Sequence, residues 1–345
     1  MARTWNLTSL PTRPGLYINF VEAAAAQIKG GARGIVAMPI MNYDSTSSEK
    51  AEEKKVYKIE TISEAKEKFG ENNIDSIKLA LQGGAREVLA YAMPEVPDYE
   101  EMRNEFDKHT FNVFVYDGEA EVDDTEMNDT KAWVKNNREE GKHFMAVLGN
   151  MVDGTVPPAL ADGDGDYIVN LVNGVKFGDE EHTSQQYASY IAGLIAGTPI
   201  NKSITYKQVH VDDVNVRLTN SDVNETLEKG GLVLVHDGEK VKVEQGITSS
   251  GQKIRAIRAR QAVATDINKT AKDSYIGKLD NSEDGQAALI SAIKAYLERL
   301  ENANVLTEIQ VGLDPENPSV GDQVFLVVSY REIDSMERIF ININV

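Results

Sequence analysis

The sequence contains no cysteine, which excludes disulfides, thiolate metal centres and cysteine nucleophiles together. It lacks any run of 18 apolar residues, and its first 25 residues show no basic, then apolar, then small-residue order. Neither a membrane span nor a signal peptide is expected, and the chain reads as cytosolic when made. Positive charge is scarce: 36 Lys and Arg stand against 55 Asp and Glu, a formal charge of −19. Phosphate binding needs basic clusters that release counterions, so no nucleic-acid partner is expected. What is present is ordinary for a folded chain: 345 residues, 41% of them hydrophobic, suffice for one large core or two smaller ones.

The opening "MARTWNLTSLPTRPG" carries two prolines and no periodicity, so it reads as an extended arm, followed by a strand over Leu16 to Val21. "GARGIVAMPI" gives a buried strand from Gly34 to Ile40, and the polar run Asn42 to Lys55 a mobile loop. Helix and strand then alternate. Ser63 is the expected cap of a helix ending at Phe69-Gly70, and helical spacing over Ile74 to Leu81 leads to a strand at Val88 to Met93. Helices near Tyr99 to Lys108 and Asp129 to Gly141 precede strands at Phe111 to Tyr116 and His143 to Leu148. This order implies an α/β fold, a mostly parallel sheet with helices on both faces.

Beyond Val156 the pattern changes. Asn173-Gly174 between two alternating runs predicts a hairpin, and Asp237-Gly238 predicts a second. Thr183 or Ser184 caps a helix that Gly197 and Pro199 stop. The last hundred residues read as a separate α+β unit. A strand over Lys253 to Val263 leads to a helix striped by Leu289, Ile293, Leu297 and Leu300, and then come strands at Thr307 to Val311 and Asp322 to Tyr330. In the terminal "RIFININV", Ile339, Ile341, Ile343 and Val345 point one way and Phe340 the other, as in a strand. Last residues fray unless something ties them down.

Catalytic and binding motifs are fragmentary. Asp162, Asp164 and Asp166 open like a calcium loop, but Tyr167 and Asn173 stand where glycine and glutamate are needed. "KGGARG" is followed by a strand, not a helix N-terminus, and the Ser63-x-x-Lys66 spacing lacks its partner motifs. Seven carboxylates between Asp117 and Asp129 read as a solvated loop, with a divalent-ion site or a repulsive surface as the functional alternatives. Asp117 follows an apolar strand, where α/β enzymes place acid-base residues, so a hydrolase centred on it is the alternative function.

The order and spacing of "RPGLYINF", "GARGIVAMPI", "LQGGAREVLAY" and "ENPSVGDQVFLVVSYREIDSMERIFININV" resemble the contractile tail sheath proteins, above all the short sheaths of Gram-positive prophages, myophages and R-type, phage-tail-like bacteriocins. The resemblance implies a subtilisin-like sheath core over residues 23–248, with the flexible loop at 42–55, and a C-terminal domain over 249–335. N- and C-terminal arms cover 1–22 and 336–345. It implies no enzyme, since neither an Asp-Thr-Gly nor a Gly-Thr-Ser-x-Ala context is present, and no cofactor or metal.

The same resemblance implies hexameric rings of neighbouring sheath subunits in helical stacks, with an inner tail tube protein, baseplate and tail terminator proteins as partners. The location would be the virion tail or a phage-tail-like particle, assembled in the bacterial host cytoplasm. The arm strands would be Leu16, Tyr17, Ile18 and Phe20 at one end and Ile339, Phe340, Ile341, Ile343 and Val345 at the other, adding to neighbours' sheets, with "REIDSME" before Arg338 as a hinge. A tube-facing helix would present Lys294, Glu298, Arg299 and Glu301. Lys253, Arg255, Arg258 and Arg260 are candidate lattice charge contacts.

Overall fold

The computed structural model describes residues 33–43, 50–149 and 165–344. The chain runs through β1 (Ile35–Ile40), β2 (Val56–Ile59), α1 (Ile62–Phe69), α2 (Asp75–Gly83), β3 (Glu87–Ala92), α3 (Tyr99–Phe106), β4 (Val113–Val115), α4 (Asp124–Glu139), β5 (Met145–Gly149) and β6 (Ile168–Leu171). There follow β7 (Val175–Phe177), β8 (Glu180–His182), α5 (Ser184–Gly197), β9 (Gln208–Val209), β10 (Asp213–Val214), α6 (Asn220–Glu228), β11 (Gly231–Leu232), β12 (Leu234–His236) and β13 (Val241–Val243). The C-terminal part holds α7 (Ile254–Ser274), α8 (Glu283–Asn302), β14 (Leu306–Leu313) and β15 (Leu326–Glu332).

Seven strands form the central sheet in the order β11-β6-β5-β4-β1-β3-β2, and only the β2–β3 pair is antiparallel. Continuous apolar runs such as IVAMPI and EVLAYA are what a sheet covered on both faces requires. Phe114 of β4 turns toward α3 and α4, meeting Phe106 and Trp133. Its neighbour Val115 faces the other way and, with Val147, lines a small void beside Gln185 and Ala188 of α5. Nearly every residue of α5 is buried, because this helix lies under the sheet and α2 closes over it. The α2–α5 contact is backbone to backbone: a Cβ on Gly193 would stand 2.0 Å from the Ala80 carbonyl oxygen, and one on Gly83 2.2 Å from that of Tyr190.

Four local expectations are corrected. The cap of α1 is Thr61 rather than Ser63: its hydroxyl accepts the Glu64 N–H while the Glu64 carboxylate accepts the Thr61 N–H. Asn173-Gly174 makes no hairpin, for β6 belongs to the central sheet and β7 to a separate three-stranded sheet with β8 and β10. Asn173 is wholly buried, donating to the carbonyls of Val216 and Leu234 and accepting the Leu234 N–H, so its amide joins three segments where a turn would have left it in water. Half of the acidic run is helix rather than loop: Asp123 caps α4, and Asp124 and Glu126 lie in its first turn, where the helix dipole favours negative charge.

The fourth correction matters most. Lys253 to Val263 is not a strand; it opens the 21-residue helix α7. Ile254, Ile257, Arg258 and Gln261 follow one another at helical spacing on its buried face, and alanines fill the close approaches. Ile254 and Ile257 belong to the large core under the sheet, whereas Ala259 and Val263 belong to a second core with Ile293, Tyr296, Leu297 and Leu300 of α8. Asp266 of α7 accepts from the Arg33 guanidinium at the foot of β1 and from the Tyr296 hydroxyl of α8, so it also spans the two cores. The polar run after β1 is partly anchored: Ala51 is buried, its N–H donating to the Lys68 carbonyl.

Candidate assembly interface

The open sheet has one topological switch, where the chain leaves β1 for β3 on one side and later β4 on the other. Ligands of α/β folds bind in the crevice beyond such strand ends. Here Asp117, after β4, fills it. Its carboxylate accepts the Met41 N–H at 2.7 Å and the Ser76 hydroxyl at 2.6 Å, and Ser76 Oγ in turn accepts the Gly118 N–H. Asp117 is 3% exposed. Burial pushes its carboxyl up to about 6, against the pull of those hydrogen bonds. No histidine bonds Asp117 or Ser76 among the described residues, and His143, the histidine at the foot of β5, meets Tyr167 instead. The carboxylate thereby braces the ends of β1 and β4 against the start of α2. Among the described residues no group of three His, Cys, Asp or Glu is placed to hold a metal ion, and no helix is long and apolar enough to cross a membrane.

Exposed apolar side chains gather elsewhere. β14 and β15 form a two-stranded antiparallel sheet lying against α8. Leu326, Val328 and Tyr330 turn inward onto the second core, while Phe325, Val327, Leu313, Val320 and Val324 stand in solvent. Two strands alone are marginal, and their outer edges offer unpaired N–H and C=O groups. Past β15 the chain makes one backbone bond, Ile333 N–H to the Val305 carbonyl, and residues 333–344 form no strand within the described chain. Ile339, Phe340, Ile341 and Ile343 are 71%, 91%, 75% and 81% exposed. Four large apolar side chains in a row without cover are rare on a finished surface. Leu16, Tyr17, Ile18, Phe20 and Val345 lie outside the described residues, as does the pairing expected of them, and so do Asp162 and Asp164.

The sequence-predicted charged residues divide. Lys294, Glu298, Arg299 and Glu301 lie on the exposed face of α8, with the Arg299 guanidinium resting over its own helix's Tyr296 ring; no Lys294–Glu298 ion pair forms among the described residues. The four cations singled out at the start of α7, with Lys253 as its N-cap, have partners inside the subunit. Lys253 bridges Asp334 and Glu337, Arg255 reaches Ser335 and the Asn304 carbonyl, and Arg260 pairs with Glu332. Arg258 is buried, donating to the Thr198 carbonyl, and burial pulls its pKa down to about 10. As a lattice contact Arg258 is therefore corrected, because helical rather than alternating geometry turns it inward. Glu337 escaped the sequence reading altogether, since nothing in "REIDSME" separates it from a solvated acid.

The comparisons with known proteins agree with this geometry. Residues 93–249 match the family model of the phage tail sheath protein central domain, and residues 248–345 that of the phage tail sheath C-terminal domain. A tail sheath protein of Clostridium phage phiCD119 is 25% identical over 94% of this chain and 97% of its own length. Among solved structures, the sheath tail protein of Desulfitobacterium hafniense superposes with a TM-score of 0.71 at 18% identity, over 92% of this chain and 100% of that one. The helical sheath of the anti-feeding prophage in its contracted state gives 0.75 at 16% identity, over 97% and 99%. A mostly parallel, helix-covered sheet with an α+β part behind it, matched along nearly the whole chain, places this protein in the phage tail sheath family.

Proposed function

We propose that this chain is the polymerising subunit of a contractile sheath, stacking as hexameric rings around an inner tail tube and shortening to drive that tube through a cell envelope. The observation that carries the reading is the coexistence of a bare two-stranded sheet, β14–β15, and a terminal segment whose four apolar side chains are uncovered. Each is what the other lacks. Residues 339–345 of one copy and 16–20 of another would add strands to a neighbour's β14–β15 sheet, where backbone hydrogen bonds provide affinity and alternate side chains enter pockets. The domain division is residues 23–248 for the core and 249–335 for the C-terminal domain, with arms on either side. α8, through Lys294, Glu298, Arg299 and Glu301, faces the tube, while baseplate and terminator proteins meet the ends of the stack. The protein acts as a scaffold in the tail of a virion or a phage-tail-like particle, assembled in the host cytoplasm.

Contraction needs two lattice packings of one rigid subunit, and connections that bend without unpairing. Deleting residues 339–345 removes the proposed strand, of which residues 339–344 are exposed and take no part in the core. The shortened chain is expected to fold with unchanged circular dichroism and to remain monomeric; striated tubes in negative-stain micrographs of it would sink the reading.

A further inference from the structure

The stretch between β15 and the exposed arm is fastened to the subunit. Asp334 meets the Lys253 ammonium at 2.9 Å, and Ser335 Oγ accepts from Arg255. Met336 then points outward, 91% exposed, but the Glu337 side chain turns in and is 7% exposed. Its carboxylate accepts the Ser203 hydroxyl at 3.2 Å, the Thr205 hydroxyl at 2.9 Å, the Gln245 amide at 3.4 Å and the Lys253 ammonium at 2.9 Å. The donating hydroxyls are themselves held, for Ser203 Oγ accepts the Thr205 N–H and Thr205 Oγ1 accepts the Gly246 N–H. Burial disfavours charge on Lys253, yet its bonds to Asp334 and Glu337 keep its pKa above the ordinary value.

Three of these four partners belong to earlier segments, for Ser203 and Thr205 follow α5 and Gln245 follows β13, while Lys253 is the N-cap of α7. The arm thus leaves a hairpin on the second core, crosses to the central domain and is tied there. Two residues later Ile339, Phe340, Ile341 and Ile343 all stand in solvent. A pull applied directly to β15 would peel it from β14 one hydrogen bond at a time, and a lone hairpin resists that poorly. A buried carboxylate with charged and neutral donors on two sides must lose several bonds at once. The expected hinge over Arg331 to Glu337 is therefore corrected: Asp334, Ser335 and Glu337 are clamped, and among the described residues Arg338 is the first beyond them with no such fastening.

We propose that Glu337 is a positioning residue that fixes the point and direction at which the C-terminal arm leaves the subunit, delivering tension along the arm to the central domain instead of to β15. The part concerning tension rests on the sheath reading above; the part concerning position does not. Because the chain has no cysteine, spin labels placed through Arg338→Cys and Glu239→Cys, the latter in the β12–β13 turn, report a single distance. In the monomer the otherwise unchanged chain should show a narrow distribution, at least twofold broader in Glu337→Ala and in Lys253→Met, with melting temperatures shifted by only a few degrees. A wild-type distribution already as broad as that of Glu337→Ala, or no broadening in either variant, overturns the anchor.

In sleeves, Glu337→Ala should either fail to assemble or assemble and break between rings on triggered contraction. Unbroken, fully contracted sleeves of Glu337→Ala overturn the tension-bearing role. The chain lacking 339–345 separates the two ideas: if it still forms tubes, the sheath linkage fails while the spin-label widths continue to decide the anchor.

Discussion

A carboxyl group wedged at a switch point has a measurable signature. Asp117 holds its proton more tightly when folded than unfolded, since burial lifts it from about 3.8 to about 6. Its contribution is therefore complete below about pH 3.8 and is lost as the pH climbs through about 6, opposite to the usual carboxylate. Over that window Asp117→Asn, which stays neutral, should gain on the wild type by on the order of 2–3 kcal/mol. Urea titrations at pH 4, 5, 6 and 7 check this, and parallel curves for the two proteins would contradict it. Position 193 is similarly exacting, with the α2 backbone already in contact with its α-carbon face. Gly193→Ala should cost about 3 kcal/mol through overpacking, read as a lower denaturation midpoint. Asp117 stood out in the sequence because it follows an apolar strand. Asn173 stood out only as a turn residue and Glu337 not at all, since what distinguishes a buried polar group from a solvated one is the set of distant atoms that meet it.

Among elements, those with one unambiguous period were readable. The stripe Leu289, Ile293, Leu297 and Leu300 is the inward face of α8, with Leu289 at its partly buried end, and Asp237-Gly238 is the turn between β12 and β13, with Gly238 at φ +105°. α7 was not, because Arg255, Arg258 and Arg260 among Ile254, Ile257 and Ala259 imitate alternation until Gln261 and Ala262 are counted at a helical pitch. The false hairpin at Asn173-Gly174 has a comparable cause: strand on either side of a turn dipeptide does not say that the strands share a sheet. The hairpin β14–β15 carried a subtler sign. Val324 to Val328 is apolar on both faces, more than two strands over one helix can bury. Masking that outer face with Phe325→Lys and Val327→Lys should leave the monomer's stability within about 0.5 kcal/mol, as for other surface changes, while reducing sleeve yield sharply. Undiminished yield would show that the outer face takes no part in assembly.

For the whole molecule, charge sets the conditions of assembly. Each copy brings −19, and of the four cations at the start of α7, Lys253 and Arg260 are ion-paired within the subunit, Arg255 is hydrogen-bonded there and Arg258 is buried. Repulsion between copies reaches roughly 30 Å at 0.01 M salt and about 8 Å at 0.15 M. Sleeves should therefore grow faster at 0.15 M sodium chloride than at 0.01 M, as followed by light scattering; the reverse order would mean that complementary patches outweigh net charge. The broad architecture was legible because helix and strand alternate in clear blocks, whereas the contact between its two parts was hidden in the misread α7. That helix donates side chains to both cores, so neither part can turn against the other without opening apolar surface in each. On the proposed arm linkage, the subunit would behave as a link in a chain mail rather than as a spring: compliance would reside in the few residues between links, and the reach of the arms would set the distance a sleeve can travel.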